Sequence, residues 1–410
     1  MSAAATLAAP SGGAVQPGGV QPGHATVPLP SLQMLRAIAA LLVVMYHTQA
    51  IFGARAGLTV LDGVFSQGSR GVDLFFVLSG FVITYVHRRD WGTPARLGTY
   101  LFNRASRIYP SVWIMSALAI AAYLAGMLLS NPVGMGAADQ SARLGAWNIL
   151  ASVLLLPQLA VPLVNVTWTL KCELAFYLIF ALLIVERRFL ALLILWQAAV
   201  LGCLLAGIDT GDGWARYYIG PMDLEFGLGM ACAVLVMRRG ALPARLRAIL
   251  ARPAPLLAGL LVGTLLFAGG ALLERYWISP LPVPAVAVYG IGGGLIILTM
   301  ALLDLSGRLP RWRLLVYLGD ASYSIYLVHF SVITLLSGAL LRVGTVPMGT
   351  AVYLAVATAG VLAGIAFHRL VDQPIQRALR RLRPRPLAAA AGPPGENVSV
   401  AMRHLIRQKI

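Results

Sequence analysis

The chain has 410 residues, of which 59% are hydrophobic and 11% are charged, and it carries a net charge of +17. Soluble domains contain about 25% charged residues, so this composition excludes an ordinary soluble protein and indicates a polytopic membrane protein. The basic residues lie in short clusters between apolar segments, which is typical of membrane topology and argues against a nucleic-acid partner. The three cysteines lie in apolar segments without a CxxC spacing, so they indicate neither disulfides nor a metal site.

The apolar segments, taken in chain order, predict an all-α membrane protein. Residues 1–31 contain no Lys or Arg and are rich in Ala, Gly and Pro, which predicts a disordered cap without a signal peptide. Residues 32–375 form one membrane domain of about ten transmembrane helices, because that many apolar segments are long enough to cross a bilayer. The predicted spans are 32–52, 69–88, 109–129, 167–185, 189–208, 218–237, 254–273, 283–303, 316–340 and 350–371.

Two further segments fall outside these spans. Residues 147–156 are apolar but too short to cross the membrane, and they are predicted to be re-entrant or interfacial. Residues 376–410 are basic and then rich in Ala and Pro, which predicts a flexible tail.

The distribution of arginine predicts the orientation. Clusters follow the second, fourth, sixth, eighth and tenth spans, whereas the opposite loops contain single arginines. Because positive charge concentrates in cytoplasmic loops, the even-numbered spans are predicted to end inside, with both termini cytoplasmic.

A cation and an imidazole share one face of the first span. Arg36 and His47 are eleven residues apart, which is close to a whole number of helical turns. On a helix they stand roughly 16 Å apart along the axis, with Arg36 towards the inner end and His47 towards the outer end. Charged groups inside a span are costly unless paired or hydrated, so both residues are functional candidates.

Other polar side chains fall inside later spans or at their ends, and they are predicted to form an outer and an inner group. Arg104 and Arg107, in the inner group, are three residues apart and can hold a phosphate between them on one helix face. Simpler interpretations also exist: topology for the arginines, interfacial snorkelling for Arg36, and packing or ion pairing for the rest. The remaining candidates are Arg70, Asp73, Lys171 and Glu173 in the outer group, and Tyr323 and His329 in the ninth span.

Five motifs in order, over about residues 32–375, resemble the integral-membrane acyltransferase family 3, which modifies cell-surface polysaccharides. They are LRAIAALLVVMYH, GVDLFFVLSGFVI, RASRIYP, WTLKCELAFYLIF and GDASYSIYLVHF. VDQPIQR takes the place of the family's closing Glu-x-Pro element, and Asp372 replaces the glutamate, which leaves the role of this residue open. Within the family, the chain looks most like exopolysaccharide acyltransferases.

The resemblance implies a multi-pass enzyme of the bacterial inner membrane. Such an enzyme moves an acyl group, with acetyl expected, from cytoplasmic acyl-CoA to a hydroxyl of a saccharide. Acyl-CoA is then a substrate, no cofactor is bound permanently, and the saccharide and the bilayer are the partners. The resemblance leaves the oligomeric state open. Arg36, Arg104 and Arg107 are expected to dock the CoA phosphates.

We predict direct transfer with His47 as the general base, because an imidazole titrates near neutrality. Glu173 or Asp73 is expected to orient the imidazole or to hold the sugar. A covalent route through an acylated His47 or through Ser79 is the alternative. The candidates for stabilising the oxyanion are Lys171, Arg70 and Tyr323.

Two other classes of function remain open from the sequence. A transporter of small anions or acylated sugars also places charges at mid-membrane, although the sequence shows no paired inverted halves. A structural or sensory protein is the third interpretation, and it predicts that substitutions at the candidate residues alter only abundance.

Overall fold

Helices make up the regular structure of the part of the chain that the structure describes. The computed structural model describes residues 29–60, 63–128, 141–208, 214–276, 286–343 and 349–384. Most of the predicted cap and the tail beyond residue 384 lie outside these residues, within which no β-strand is present. The helices are α1 (Pro30–Ala56), α2 (Gly71–His87), α3 (Leu97–Leu128), α4 (Ala146–Val153), α5 (Trp168–Val185), α6 (Phe189–Leu205), α7 (Pro221–Met237), α8 (Ala244–Leu250), α9 (Pro253–Tyr276), α10 (Ile291–Leu305), α11 (Arg313–Asp320), α12 (Ser322–Val343), α13 (Thr350–Phe367) and α14 (Gln373–Arg381).

The prediction of an all-α membrane protein with about ten spans is confirmed. Within the described ranges, nine helical segments, counted together with the 3₁₀ and π turns that extend some of them, are long and apolar enough to cross a bilayer, and α6 is a further apolar helix of 17 residues. It ends before the predicted boundary because Gly207 adopts a left-handed conformation (φ 67°), which stops a helix. Helix α6 is about 26 Å long, close to the ~30 Å of the hydrocarbon core. The orientation of the termini stays a prediction.

Helix α3 begins well before the predicted third span. It starts at Leu97, so Arg104 and Arg107 lie within the helix and share one of its faces. The short helix α4 is attached to α3 by two side chains that donate hydrogen bonds to its carboxyl end. Tyr109 bonds the Leu154 carbonyl at 3.1 Å, and Trp113 bonds the Val153 carbonyl at 3.1 Å.

Helices α2 and α7 approach each other at backbone contact distance. A Cβ on Gly80 would collide with the backbone of Phe226, and a Cβ on Gly229 would collide with the backbone of Val77. Small residues allow this close approach, which is the usual basis of helix packing in membranes. Because one face of α2 is occupied by α7, the other helices pack against its remaining faces.

Helix α1 packs against α2, α11, α12 and α13. Its neighbour α12 begins at Ser322, directly after α11 ends at Asp320. Arg36 and His47 both contact α12, at Ser322 and His329 respectively, so α1 and α12 run in the same direction. The predicted common face of Arg36 and His47 is therefore confirmed, and it is directed towards α12.

Candidate active site

Helices α1, α2, α3, α5 and α12 surround a cavity with about 820 Å³ of empty space. Four charged side chains line it, and three of them are arginines: Arg36, Arg104, Arg107 and Glu173. The charged lining therefore has an excess of positive charge, which suits an anionic ligand.

Each of two arginines is held at the cavity by a specific partner. Arg36 donates a hydrogen bond from Nε to Ser322 Oγ (3.2 Å), at the first residue of α12. Arg104 donates from Nη2 to His87 Nε2 (3.0 Å), and His87 in turn donates from Nδ1 to Asp90 (2.9 Å). The Nε atom of Arg104 is buried and makes no hydrogen bond within the described residues. It is therefore a donor that remains available to a ligand.

Arg107 lies between an aromatic ring and a carboxylate. Its guanidinium stands 5.7 Å from the centre of the Tyr323 ring, and Asp372 is close enough for its charge to act on it. Asp372 is the last residue of the π-helical turn, His368–Asp372, that joins α13 to α14. It accepts hydrogen bonds from His368 (3.0 Å) in the same turn and from Ser111 (3.4 Å) on α3. The acidic residue whose role the sequence left open thus belongs to the surroundings of the arginines.

Glu173 lies in the same cavity. Its Oε1 atom accepts hydrogen bonds from Ser79 (2.9 Å) and from Tyr177, and its charge acts on Arg36. The sequence predicted Glu173 in the outer group with His47. The structure instead brings it together with the arginines, because it lies more than a turn inside α5 and faces the middle of α2.

His47 pairs with His329 at the other end of the α1–α12 contact. The distance between His47 Nδ1 and His329 Nε2 is 2.9 Å, and His329 Nδ1 lies 3.0 Å from the Ile325 carbonyl. His329 is fully buried, with 0% of its surface exposed. A carbonyl oxygen only accepts hydrogen bonds, so His329 Nδ1 carries a proton and, in the neutral ring, Nε2 accepts one from His47. The chain of bonds leaves His47 Nε2 with a free lone pair.

His47 does not line the cavity. Two hydroxyl groups that do line it, Thr169 and Tyr326, are hydrogen-bonded to each other at 2.8 Å. The Tyr326 ring centre stands 5.8 Å from that of His329. Tyr326 therefore lines the cavity and also lies beside the histidine pair.

The other predicted outer residues lie on the α7 side of α2. Arg70 and Asp73 form an ion pair (3.6 Å), and Asp73 is hydrogen-bonded to Glu225 on α7. Lys171 is 2% exposed and stands 5.9 Å from the centre of the Tyr217 ring. The structure does not bring Asp73 to His47, because Asp73 faces α7 whereas His47 faces α12. The predicted catalytic group of His47, Glu173 and Asp73 is thus distributed over three places.

A sequence model of the acyltransferase 3 family, described as an acyltransferase domain, matches residues 29–369. The chain belongs to this family. Exopolysaccharide production protein ExoZ of Rhizobium meliloti is 30% identical over 336 residues, which cover 78% of this chain and 93% of ExoZ. Acyltransferase MdmB of Streptomyces mycarofaciens is 29% identical over 399 residues, covering 87% of this chain and 94% of MdmB. Peptidoglycan O-acetyltransferase OatA of Listeria monocytogenes is 27% identical over 378 residues, 85% of this chain but 56% of OatA. No solved structure matches the chain.

Several residues around this candidate site did not emerge from the sequence. His87 and Asp90 support Arg104, and His368 holds Asp372. The signal that could have revealed them is their spacing. HRRD and HRLVD place a histidine and an aspartate three and four residues apart, which brings them together on a helix.

Proposed function

We propose that this member of the acyltransferase family moves an acyl group, acetyl in the expected case, from cytoplasmic acyl-CoA to a hydroxyl of a cell-surface or exported saccharide. The observation that carries the proposal is a cavity lined by three arginines, two of whose helices, α1 and α12, also carry a paired histidine. The names of ExoZ and OatA, which refer to exopolysaccharide and to peptidoglycan O-acetylation, support the class of acceptor.

The arginines bind the phosphates of the donor. Guanidinium groups form strong, charge-assisted hydrogen bonds with phosphate oxygens, and Arg104 has a buried Nε without a partner in the described part of the chain. Glu173 lies among the arginines and holds Arg36 in place by its opposite charge. The pantetheine arm then extends along α1 and α12 towards His47.

The thioester has to pass the hydroxyl pair of Thr169 and Tyr326. When the donor enters, the hydrogen bond between them opens and the Tyr326 hydroxyl becomes a donor to the thioester carbonyl. Tyr323, the tyrosine that the sequence suggested for this task, donates to the Ile108 carbonyl at 2.9 Å. The Tyr326 hydroxyl likewise bonds the Val166 carbonyl at 3.2 Å, so either tyrosine has to exchange a carbonyl for the thioester. Tyr326 is favoured by its position, because its ring centre stands 5.8 Å from that of His329.

The transfer proceeds in one step at His47. Its Nε2 atom removes the proton of the acceptor hydroxyl, whose oxygen attacks the thioester carbonyl. The carbon–sulfur bond breaks, the proton passes to the sulfur, and the products are an ester and free CoA. His329 Nε2 accepts a hydrogen bond from the Nδ1–H group of His47. This bond favours the tautomer of His47 that has its lone pair on Nε2.

The test is His47→Gln in membranes that receive radiolabelled acyl-CoA and the acceptor. General-base help is typically worth about 10² to 10⁴ in rate, so we expect acylation to fall by that factor. Thr48→Val is the matched control, because Thr48 is buried on the same helix and its hydroxyl donates to the Val44 carbonyl one turn away (2.8 Å). The control is expected to keep near-normal activity.

Undiminished acylation by His47→Gln contradicts the role of His47. The covalent alternative is tested in membranes with the wild-type protein that receive radiolabelled acyl-CoA but no acceptor. A label on the protein that disappears in Ser79→Ala would show an acyl-enzyme, and direct transfer would then be wrong. With direct transfer, the protein carries no label.

A further inference from the structure

A second, larger depression lies on the side of the molecule between α6, α7 and the start of α10. It contains about 1860 Å³ of empty space and is lined almost entirely by aliphatic side chains, among them Leu201, Leu228 and Ile291. Ile291 is 47% exposed and Leu201 is 43% exposed, so the depression opens sideways. We refer to it as the lateral groove, and it does not share residues with the arginine cavity.

One end of the lateral groove is strongly basic. Arg88 and Arg238 line this end, and the charges of Arg187 and Arg238 both act on Arg88. Arg88 stands 4.4 Å from the centre of the Trp91 ring, and Arg187 donates to the Trp91 carbonyl at 2.8 Å. Three guanidinium groups are therefore close to one another near Trp91, and that of Arg88 lies over its indole ring.

The nearby carboxylates are engaged by other groups. Asp90 accepts from His87 (2.9 Å) and lies 4.0 Å from Arg96, whereas Glu186 accepts from the backbone N–H of Arg188 (3.3 Å). Because like charges repel, three neighbouring arginines are stabilised by an anion that bridges them.

We propose that the lateral groove binds an anionic glycerophospholipid, with its phosphate at Arg88 and Arg238 and its acyl chains along α6 and α7. An apolar depression of this depth in a bilayer is filled by hydrocarbon, because water finds no hydrogen-bond partners there. From Leu224 to Arg238 the groove follows α7 for about 21 Å, more than half of the ~30 Å hydrocarbon core. The groove thus accommodates the chains of the leaflet whose head groups lie at the arginines.

Between its ends, the groove presents one polar side chain among the described lining residues, and the amide nitrogen of that side chain is already hydrogen-bonded. Gln197 donates its amide hydrogen to the Asp223 carbonyl at 3.0 Å. The length of the groove therefore selects for hydrocarbon and its basic end selects for a negative head group. This inference is independent of the proposed acyl transfer.

The experiment measures lipid retention by native mass spectrometry of the full-length protein in detergent. The detergent is supplemented with either phosphatidylglycerol or phosphatidylcholine. We expect the wild type to retain phosphatidylglycerol preferentially. The double variant Arg88→Gln/Arg238→Gln is expected to lose about 30-fold of this preference, the equivalent of about 1 kcal/mol for each arginine.

Two controls make the result specific. Arg245→Gln/Arg252→Gln removes the same charge from exposed positions in α8 and directly before α9, outside the groove lining, and should keep the preference. Ala231→Trp fills the groove while leaving its arginines, and should lose retention of both lipids.

Equal retention of the two lipids by the wild type would mean ordinary annular lipid only and would overturn the proposal. A dimer mass that appears without lipid and disappears in Ala231→Trp would also overturn it, because a second copy would then occupy the groove. If the arginine double variant does not fold, the preference of the wild type and the effect of Ala231→Trp still decide the question.

Discussion

At the scale of single residues, the chemistry depends on which polar groups meet across helices. Glu173 and Asp73 are both acidic residues that the sequence placed in the outer group, yet one joins the arginines and the other joins Glu225. The partner of His47 is a second imidazole, that of His329. Because His329 Nδ1 donates to the Ile325 carbonyl, His329 Nε2 accepts from His47 Nδ1, so the direction of both hydrogen bonds is fixed. Spacing along the chain identifies such groups as candidates, but it does not say which of them form a pair.

The histidine pair leads to a prediction about His329 as a positioning residue. His329→Leu removes the acceptor for the His47 Nδ1 proton, so we expect kcat to fall by about ten- to a hundredfold, less than for loss of the base itself. The KM for acyl-CoA should stay within about twofold, because the arginines are untouched. His329→Gln should restore most of the activity, since its amide can accept from His47 and donate to the Ile325 carbonyl. Steady-state kinetics in detergent measures both constants, and a failure of Gln to rescue would contradict the role.

At the scale of helices, the position of the cavity depends on how closely α2 approaches α7. Gly80 and Gly229 meet the backbone of the opposite helix, and the neighbouring Ser79 then faces α5 and bonds Glu173. Apolar length predicted both helices correctly. Their contact was not predicted, because a glycine in an apolar span gives no indication of which partner it faces.

We expect Gly80→Val to separate α2 from α7 and to destabilise the protein by about 1–3 kcal/mol, the usual cost of overpacking. Gly202→Ala in α6 is the matched control, because a Cβ at that position meets nothing within 4 Å. Thermal unfolding in detergent measures the difference. An unchanged midpoint for Gly80→Val would show that the close contact does not support the fold.

At the scale of the whole molecule, the two ends of α1 lie at different parts of the proposed site. Arg36 lies at the cavity and His47 lies at the histidine pair, and α1 and α12 run side by side between them. If the positive-inside orientation holds, the donor enters from the cytoplasm and the acceptor is modified towards the opposite face.

Membrane vesicles of known sidedness test this arrangement. Acyl-CoA added from outside should support acylation in inverted vesicles and not in right-side-out vesicles, because a highly charged nucleotide does not cross the bilayer. Detergent permeabilisation is the control and should make the two preparations equal. Equal use of external acyl-CoA by intact vesicles of both kinds would contradict the proposed sidedness.

The sequence by itself determined the all-α membrane fold, its approximate spans and the common face of Arg36 and His47. These properties are local: in a bilayer each backbone polar group is satisfied within its own helix, and the helical period then sets which side chains share a face. Tertiary structure alone decided that Glu173 joins the arginines, that His329 pairs with His47, and that a basic groove opens beside α6. Contacts between helices depend on the complementary shapes of two distant segments, and neither segment carries that information alone.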